Sequence, residues 1–269
     1  MAYICSLASG SSGNALVLSC GSTHILLDAG ISCLRIKKGL AQLGLTPKDL
    51  SAILITHPHS DHTGGLATFS KQYSVPVYAS LAAAEALALQ IPSVLPRLRC
   101  FAVGDAFEVG DVLVQSFPTH HDAPGSVDFR IDGEGFSFGA LTDTGIITDA
   151  AAELLPGVDT LLLESNHDVA MVQTGPYPYH LKQRILGDRG HLSNETAAAF
   201  AAEAVARGTR QVILAHLSKD NNTPARAEAA SRDALMGRGE LYIAPREDLL
   251  RLDLREGANT LCRRKMLSA

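Results

Sequence analysis

Tryptophan is missing from this chain and aromatic residues make up only 5% of it, so a packed interior has to be aliphatic. No segment reaches the roughly 18 consecutive apolar residues of a membrane span. The opening residues Met1-Ala2-Tyr3-Ile4-Cys5-Ser6 show no basic leader followed by an apolar stretch. A soluble, cytoplasmic protein without a membrane partner is expected. Positive charge is not in excess either: 23 Lys and Arg stand against 28 Asp and Glu, a net charge of -5. That balance speaks against a protein that coats nucleic acid nonspecifically, because such affinity comes from neutralising phosphates. The five cysteines, Cys5, Cys20, Cys33, Cys100 and Cys262, are odd in number and never paired as CxxC. A disulfide framework is thereby excluded and a reducing compartment is favoured.

Apolar material is plentiful: hydrophobic residues are 46% and charged ones 19% of the 269 residues, which excludes wholesale disorder. There is no internal repeat and no Gly/Ser-rich or Pro-rich linker long enough to divide the chain, so residues 1–269 are expected to form one domain. Short apolar runs at residues 3–8, 15–19 and 25–28 read as strands, separated by the turn-rich Ser9-Gly10-Ser11-Ser12-Gly13-Asn14 and by Gly21-Ser22. Strands then alternate with helices. A helical period through Leu34, Lys38, Ala41 and Leu45 stops at Pro47, and a strand at 52–56 follows. Further strands are expected at 75–79, 98–103, 112–118, 127–131, 136–141, 160–165 and 211–216, with helices at 64–73, 81–89, 194–207 and 223–236. This pattern suggests two sheets face to face with helices outside. The basic tail at 263–269 reads as frayed.

The strand at 52–56 runs into Thr56-His57-Pro58-His59-Ser60-Asp61-His62-Thr63, which places four metal-ligand side chains in six positions. Imidazoles and carboxylates in a strand-to-helix turn can point in different directions and serve two ions: His57 and His59 one, Asp61 and His62 the other. Additional donors stand after later strands: His120 or His121, Asp143 as the best candidate to bridge both ions, and His216. Two cations roughly 3.5 to 4 Å apart would lower the pKa of a shared water and stabilise charge during in-line attack on a phosphodiester. They would also add about four positive charges locally, against the negative total. Imidazoles suit Zn, while carboxylates without cysteine also admit Mn or Fe.

Other runs have two readings. Ser9, Ser11, Ser12 and Asn14 lie in a segment that could be a tight turn or a nest of backbone N–H groups holding a phosphate, with Asn14 best placed to reach the cleft. Between Gln173 and His191, the cations Lys182, Arg184 and Arg189 stand among Tyr177 and Tyr179. Either this is a solvated loop, or it is a substrate-gripping insertion, spanning about 168–193, where cations meet phosphates and tyrosines stack on bases. Ser218 and Lys219 follow His216 and could contact the scissile phosphate or merely open a loop.

The order of these motifs resembles the metallo-β-lactamase superfamily, an αββα sandwich of two mixed β-sheets flanked by helices. Its HxHxDH turn, later His, bridging Asp and final His map onto His57, His59, Asp61, His62, His121, Asp143 and His216. Asp28, in Leu26-Leu27-Asp28-Ala29-Gly30, matches an early Asp that braces the histidine turn from behind. A narrower likeness, to the WalJ/YycJ group of bacterial cytoplasmic exonucleases, rests on several runs. They are Ala8-Ser9-Gly10-Ser11-Ser12-Gly13-Asn14, Glu164-Ser165-Asn166-His167-Asp168, Gly190-His191-Leu192-Ser193-Asn194, and His216-Leu217-Ser218-Lys219 with Asn221-Asn222-Thr223-Pro224. In that group the third motif reads Thr-Ser-His-Asp, which puts His121 at the ligand and His120 where Ser is common. Whether His120 replaces or assists His121 stays open. In this context His167 and His191 are candidates to bind phosphate or donate a proton to the leaving oxygen, and Asp61 joins them at the reacting centre.

The resemblance implies a metal-dependent phosphodiesterase, a 5′-to-3′ DNA exonuclease with two divalent ions. The metal motifs alone would serve an RNase or a small-molecule phosphodiesterase equally, whereas Asp61, the bridging Asp143 and the cations from Lys182 to Arg189 speak against a thioesterase of the same fold. A non-catalytic metal-binding regulator is the reading from a different class. Nothing in the sequence speaks to oligomeric state.

Overall fold

The strands read as unbroken apolar runs because both of their faces are covered, as the computed structural model shows for residues 2–254. The tail at 263–269 and Cys262 lie outside the described residues. The first sheet contains β1 (Tyr3–Ala8), β2 (Ala15–Cys20), β3 (Thr23–Leu27), β4 (Ala52–Leu54), β5 (Val77–Ser80) and β6 (Leu98–Phe101). The second contains β7 (Ala106–Val109), β8 (Val112–Pro118), β9 (Val127–Gly133), β10 (Phe136–Leu141), β11 (Thr160–Glu164), β12 (Gln211–Ala215) and β13 (Glu240–Ile243). A last strand, β14 (Leu250–Asp253), returns to pair with β1. The strand orders are β14-β1-β2-β3-β4-β5-β6 and β13-β12-β11-β10-β9-β8-β7. Each sheet is mixed: antiparallel from β14 to β3 and from β7 to β10, parallel from β3 to β6 and from β10 to β13.

Alternation along each strand sorts side chains between layers. In β1, Ile4 points between the sheets, while Tyr3, Cys5 and Leu7 point outward to a layer with α1 (Cys33–Gln42), α2 (Ser60–Thr63), α3 (Leu66–Gln72) and α4 (Leu81–Gln90) around it. Behind the second sheet, Leu161, Leu163, Val212 and Leu214 meet α5 (Asp149–Leu154), α8 (Asn194–Ala206) and α9 (Pro224–Leu235), reached after α6 (Val169–Thr174) and α7 (Tyr179–Leu186). The result is the expected αββα sandwich. Helix starts are marked chemically: Ser80, Ser193 and Thr223 each accept a backbone N–H of the first turn, and Pro224 opens α9. None of the described helices is long and apolar enough to cross a membrane.

Three strands escape the sequence reading, β7, β13 and β14, each four residues long and at or next to a sheet edge. Each carries a charged residue and is mostly half-buried or exposed, so no apolar run marks it. The segment 168–193 holds two short helices rather than a loop, because Asp168 caps α6 by accepting Met171 N–H and Gly175 and Gly187 end the two turns.

The histidine turn sits against the β3–α1 connection with no room to spare. A Cβ on Gly30 would lie 1.7 Å from the Asp61 carbonyl oxygen, and one on Gly65 2.1 Å from that of Ile31. Both obstacles are backbone, which cannot swing aside. Asn14 N–H donates to Asp61 O and Ala29 N–H to His62 O, so this contact fixes the turn directly. Gly30→Ala is therefore expected to cost about 1–3 kcal/mol. Urea unfolding checks it: the midpoint should fall at unchanged slope, and an unchanged midpoint would show that the turn can move.

Candidate metal centre

The candidate donors come from connections that leave the C-terminal ends of strands, with Asp61 and His62 in α2, and these ends share one edge of the sandwich. His57 follows β4, His121 follows β8, Asp143 follows β10 and His216 follows β12. Asp28, Asp143 and His216 carry φ angles of 59°, 51° and 53°, the left-handed region that non-glycine residues enter at a cost of about 1–3 kcal/mol. Three strained residues at one edge mark a place where geometry is imposed by the surroundings.

Two groups of donors result. His57, His59 and His121 have ligand atoms within 4.8 Å of one another, as do Asp61, His62 and His216. Asp143 joins His57 and His62 in a third such set, so its carboxylate faces both groups. Its Oδ2 lies 3.0 Å from His62 Nε2, and its Oδ1 lies 3.8 Å from His121 Nε2 and 3.4 Å from His216 Nδ1. Despite these distances, Asp143 Oδ2 has no hydrogen-bonding partner among the described residues, and neither has the buried His216 Nε2, which stops 3.5 Å from Asp61 Oδ2. Polar atoms this deep are nearly always partnered. His62 Nε2 is contested: Asn14 Nδ2 donates toward it from 3.1 Å, which needs a lone pair, while Asp143 and Asp61 draw a proton onto it. A cation between the carboxylates and the imidazoles would resolve all three conflicts, so the donor set fits divalent metal.

The rings are aimed from behind. His62 Nδ1–H donates to Asp28 Oδ2 at 2.7 Å, and Asp28 also accepts Thr56 N–H and the Thr56 hydroxyl. His216 Nδ1–H and His191 Nδ1–H both donate to Glu164 Oε1, at 3.0 and 2.7 Å. The His216 backbone is itself gripped, its N–H by Ser9 Oγ at 2.8 Å and its carbonyl by Asn166 Nδ2 at 2.9 Å. Such outer partners fix ring orientation and tautomer. Glu164, Thr56 and Asn166 were not singled out from the sequence. Glu164 had a visible signal, a charged residue closing the apolar strand Thr160–Glu164.

Electrostatics divide the two groups. Burial, reinforced by His62, holds His57 well below its ordinary pKa, and burial likewise lowers His121. Burial would lower His62 and His216 too, but Asp28 and Asp143 carry the first well above its usual value, and Asp143, Asp61 and Glu164 carry the second to about 10. Burial works against the charge of Asp143, yet His216 and His62 hold its carboxyl well below the usual range.

The remaining predicted residues are spread around this edge. His120 turns away, its Nδ1 2.8 Å from Asp188 O in the segment after α7, while His121 is 3% exposed among the donors. Ser9 is buried against His216 rather than open to a substrate. Ser11 and Ser12 are exposed, but Gly13 N–H is spent on Gly10 O and Gly10 N–H on Asn14 Oδ1, so the run 9–14 closes on itself as a turn. Ser218 Oγ accepts Asn221 N–H, and Lys219 is exposed beside it. Lys182 Nζ donates to Gln173 O, Arg184 pairs with Asp122, and Arg189 is exposed. His191 lies between the His121 and His216 rings, each centroid 5.4 Å away, whereas His167 is 1% exposed with Nδ1 unpartnered.

A family model described as a beta-lactamase superfamily domain matches residues 23–217. The chain belongs to that superfamily. It is 39% identical over 221 residues to a Streptococcus pneumoniae protein named exodeoxyribonuclease WalJ, covering 80% of this chain and 81% of that one. To exodeoxyribonuclease YycJ of Bacillus anthracis it is 38% identical over 236 residues, 87% and 89% of the two chains. Among solved structures, the metallo-beta-lactamase fold protein YhfI of Bacillus subtilis superposes with a TM-score of 0.70 at 15% identity, covering 93% and 99%. These likenesses place the chain in the WalJ/YycJ group of the superfamily.

For this superfamily member, metal must displace protons from His62 and His216, whose rings hold them in the metal-free protein, more than from His57 and His121. Zinc affinity at the former is therefore expected to rise between pH 6 and 8 by up to about tenfold per unit per proton released. Calorimetric titration in buffers of different ionisation heat reads the proton count; two binding steps with no proton release would contradict it.

Proposed function

We propose that this chain is a metal-dependent phosphodiesterase that degrades DNA from its ends, a 5′-to-3′ exonuclease working with two divalent ions. The observation that carries the hydrolytic reading is the shared Asp143, a carboxylate with an unpartnered oxygen between two triads of ligand atoms. His57, His59 and His121 would hold one ion, Asp61, His62 and His216 the other, with Asp143 reaching both. Zn, Mn and Fe all suit such donors. Bound there, the ions would supply Lewis-acid activation of water and of the phosphoryl group. The choice of DNA, and the direction, follow the WalJ/YycJ likeness. The four described cysteines are unpaired, which suits a cytoplasmic setting.

The chain's own residues supply the rest of the chemistry. Asp28 and Glu164 hold His62 and His216 in the tautomer that turns Nε2 to the ions. His191 is the proton donor to the leaving oxygen: its Nδ1–H is committed to Glu164, which leaves Nε2 for the substrate. Burial would lower its pKa, but the Glu164 carboxylate raises it above the ordinary imidazole value, which favours the protonated ring a proton donor needs. His167, buried and lowered by that burial, suits a neutral bracing role instead. Ser11, Ser12, Arg189 and Lys219 offer exposed donors at the rim for phosphates further along the strand.

End-labelled duplex DNA, single-stranded DNA and RNA, each with 5′-phosphate or 5′-hydroxyl, test the reading with metal-loaded protein. Shortening from the 5′ end of DNA is expected; equal or faster loss of RNA would move the assignment to a ribonuclease. Asp143→Ala should abolish both cleavage and the second equivalent of metal, and near-normal cleavage in that variant would sink the site. His191→Ala should lower kcat by about 10²–10⁴-fold with metal content unchanged and remove the limb of the pH–rate profile that reports the acid. A kcat within a few-fold of the parent would assign the proton to another group.

A further inference from the structure

Asp128, on β9, has no exposed surface, yet its partners among the described residues are neutral. Its Oδ1 accepts the N–H of its neighbour Phe129 at 2.9 Å, and its Oδ2 accepts both the Thr142 N–H at 2.8 Å and the Thr142 hydroxyl at 3.2 Å. Burial pushes its carboxyl up to about 8 against the Thr142 N–H that favours the charged form, and strand pairing does not call for such a group, since β9 joins β8 and β10 through backbone groups. What the side chain does is fix Thr142, and Thr142 is the residue before Asp143.

The same device stands on the opposite sheet. Asp28, beyond the end of β3, takes the N–H and hydroxyl of Thr56, which lies just past the adjacent strand β4 and immediately before His57. Asp128, on β9, takes the N–H and hydroxyl of Thr142, just past the adjacent strand β10 and immediately before Asp143. On the other flank, Thr144 N–H donates to Glu164 Oε2 at 3.2 Å. Asp143, at φ 51°, is thus strapped at the residue before it and the residue after it. A left-handed residue held at both neighbours has its Cα–Cβ direction set by those straps rather than by its own preference.

We propose that Asp128 is a positioning residue of the metal centre: its two-point clamp on Thr142 aims the Asp143 carboxylate at both donor groups. This rests on Asp143 being the shared ligand. Asp128 touches neither metal nor substrate in this scheme and acts through Thr142 alone.

Zinc affinity by chelator competition, metal stoichiometry by native mass spectrometry and the visible spectrum of cobalt-loaded protein test it on the full chain, independently of turnover. Asp128→Ala is expected to weaken zinc binding by about 10–100-fold and to change the cobalt spectrum, the usual effect of losing an outer partner. Asp128→Asn keeps a carbonyl oxygen for both Thr142 donors and should restore affinity to within about threefold of the parent. Parental affinity and spectrum in Asp128→Ala, whatever its melting temperature, would overturn the proposal. Should Asp128→Ala not fold, Thr142→Val decides: it removes one of the two contacts, so a weakening of about threefold or more supports the clamp and unchanged affinity refutes it. Asp143→Ala is the reference. If that variant still binds zinc normally, the ligand reading fails; if it alone loses metal, only the clamp does.

Discussion

Asp143 is a carboxylate at 2% exposure facing the rings of His57, His62, His121 and His216, and most of the polar interior is organised to keep it there. A group so desolvated would ordinarily neutralise itself by taking up a proton. Here the surrounding imidazoles reverse that tendency and hold it ionised. Negative charge is then concentrated at one edge of the sandwich, with Asp28, Asp61 and Glu164 adding to it behind and beside the rings. Imidazolium can balance part of this charge and divalent ions can balance more. The metal affinity of the site is therefore another face of its electrostatic imbalance.

Such an arrangement needs a stiff support, because ligand geometry tolerates errors of only about 0.5 Å. The support comes from the sheets. Parallel registers between β3 and β4 and among β10, β11 and β12 bring strand ends level, so that Asp28, Asp143, Glu164 and His216 emerge side by side. Packing on both faces fixes those strands, and the glycines at 30 and 65 let the histidine turn settle backbone to backbone on the β3–α1 connection. The left-handed residues sit where this rigid frame ends. Their strain is spread over hydrogen bonds from Ser9, Asn166, Thr142 and Thr144 rather than relieved by local motion.

The donors were legible in the sequence because their chemistry is dense and ordered: His57 through His62 in one turn, then His121, Asp143 and His216 each at the end of an apolar run. Of the supports, Asp28 was legible only through the family resemblance, and the others were not. Thr56, Asp128 and Asn166 are ordinary residue types at ordinary places, and only the register between neighbouring strands brings them to the atoms they hold. Ser9 illustrates the same limit from the other side. Its motif was visible, but a serine in a glycine-rich turn reads as solvent-facing until the fold places His216 N–H against it. The main strands were recovered because both-face burial leaves long apolar runs. The edge strands β7, β13 and β14, mostly half-buried or exposed, had no such signal.

The segment 168–193 shows how the rim differs from the centre. Its helices are tied to the metal edge at two points, Arg184 to Asp122 and Asp188 O to His120, on either side of His121. Asp122 Oδ1 in turn lies 3.4 Å from His121 Nε2 and 3.6 Å from His59 Nε2, so a charge change at the His57, His59 and His121 group is felt directly by the Arg184 pair. Gly145 allows this segment to lie close, since a Cβ there would meet the Asp188 main-chain oxygen at 2.3 Å. Of the predicted cations, Arg184 and Lys182 are already engaged within the protein. A phosphate chain approaching a protein of net charge -5 would then be drawn chiefly by divalent ions held at this edge. Binding and chemistry would draw on the same centre, unlike in a protein that coats a duplex through many surface cations.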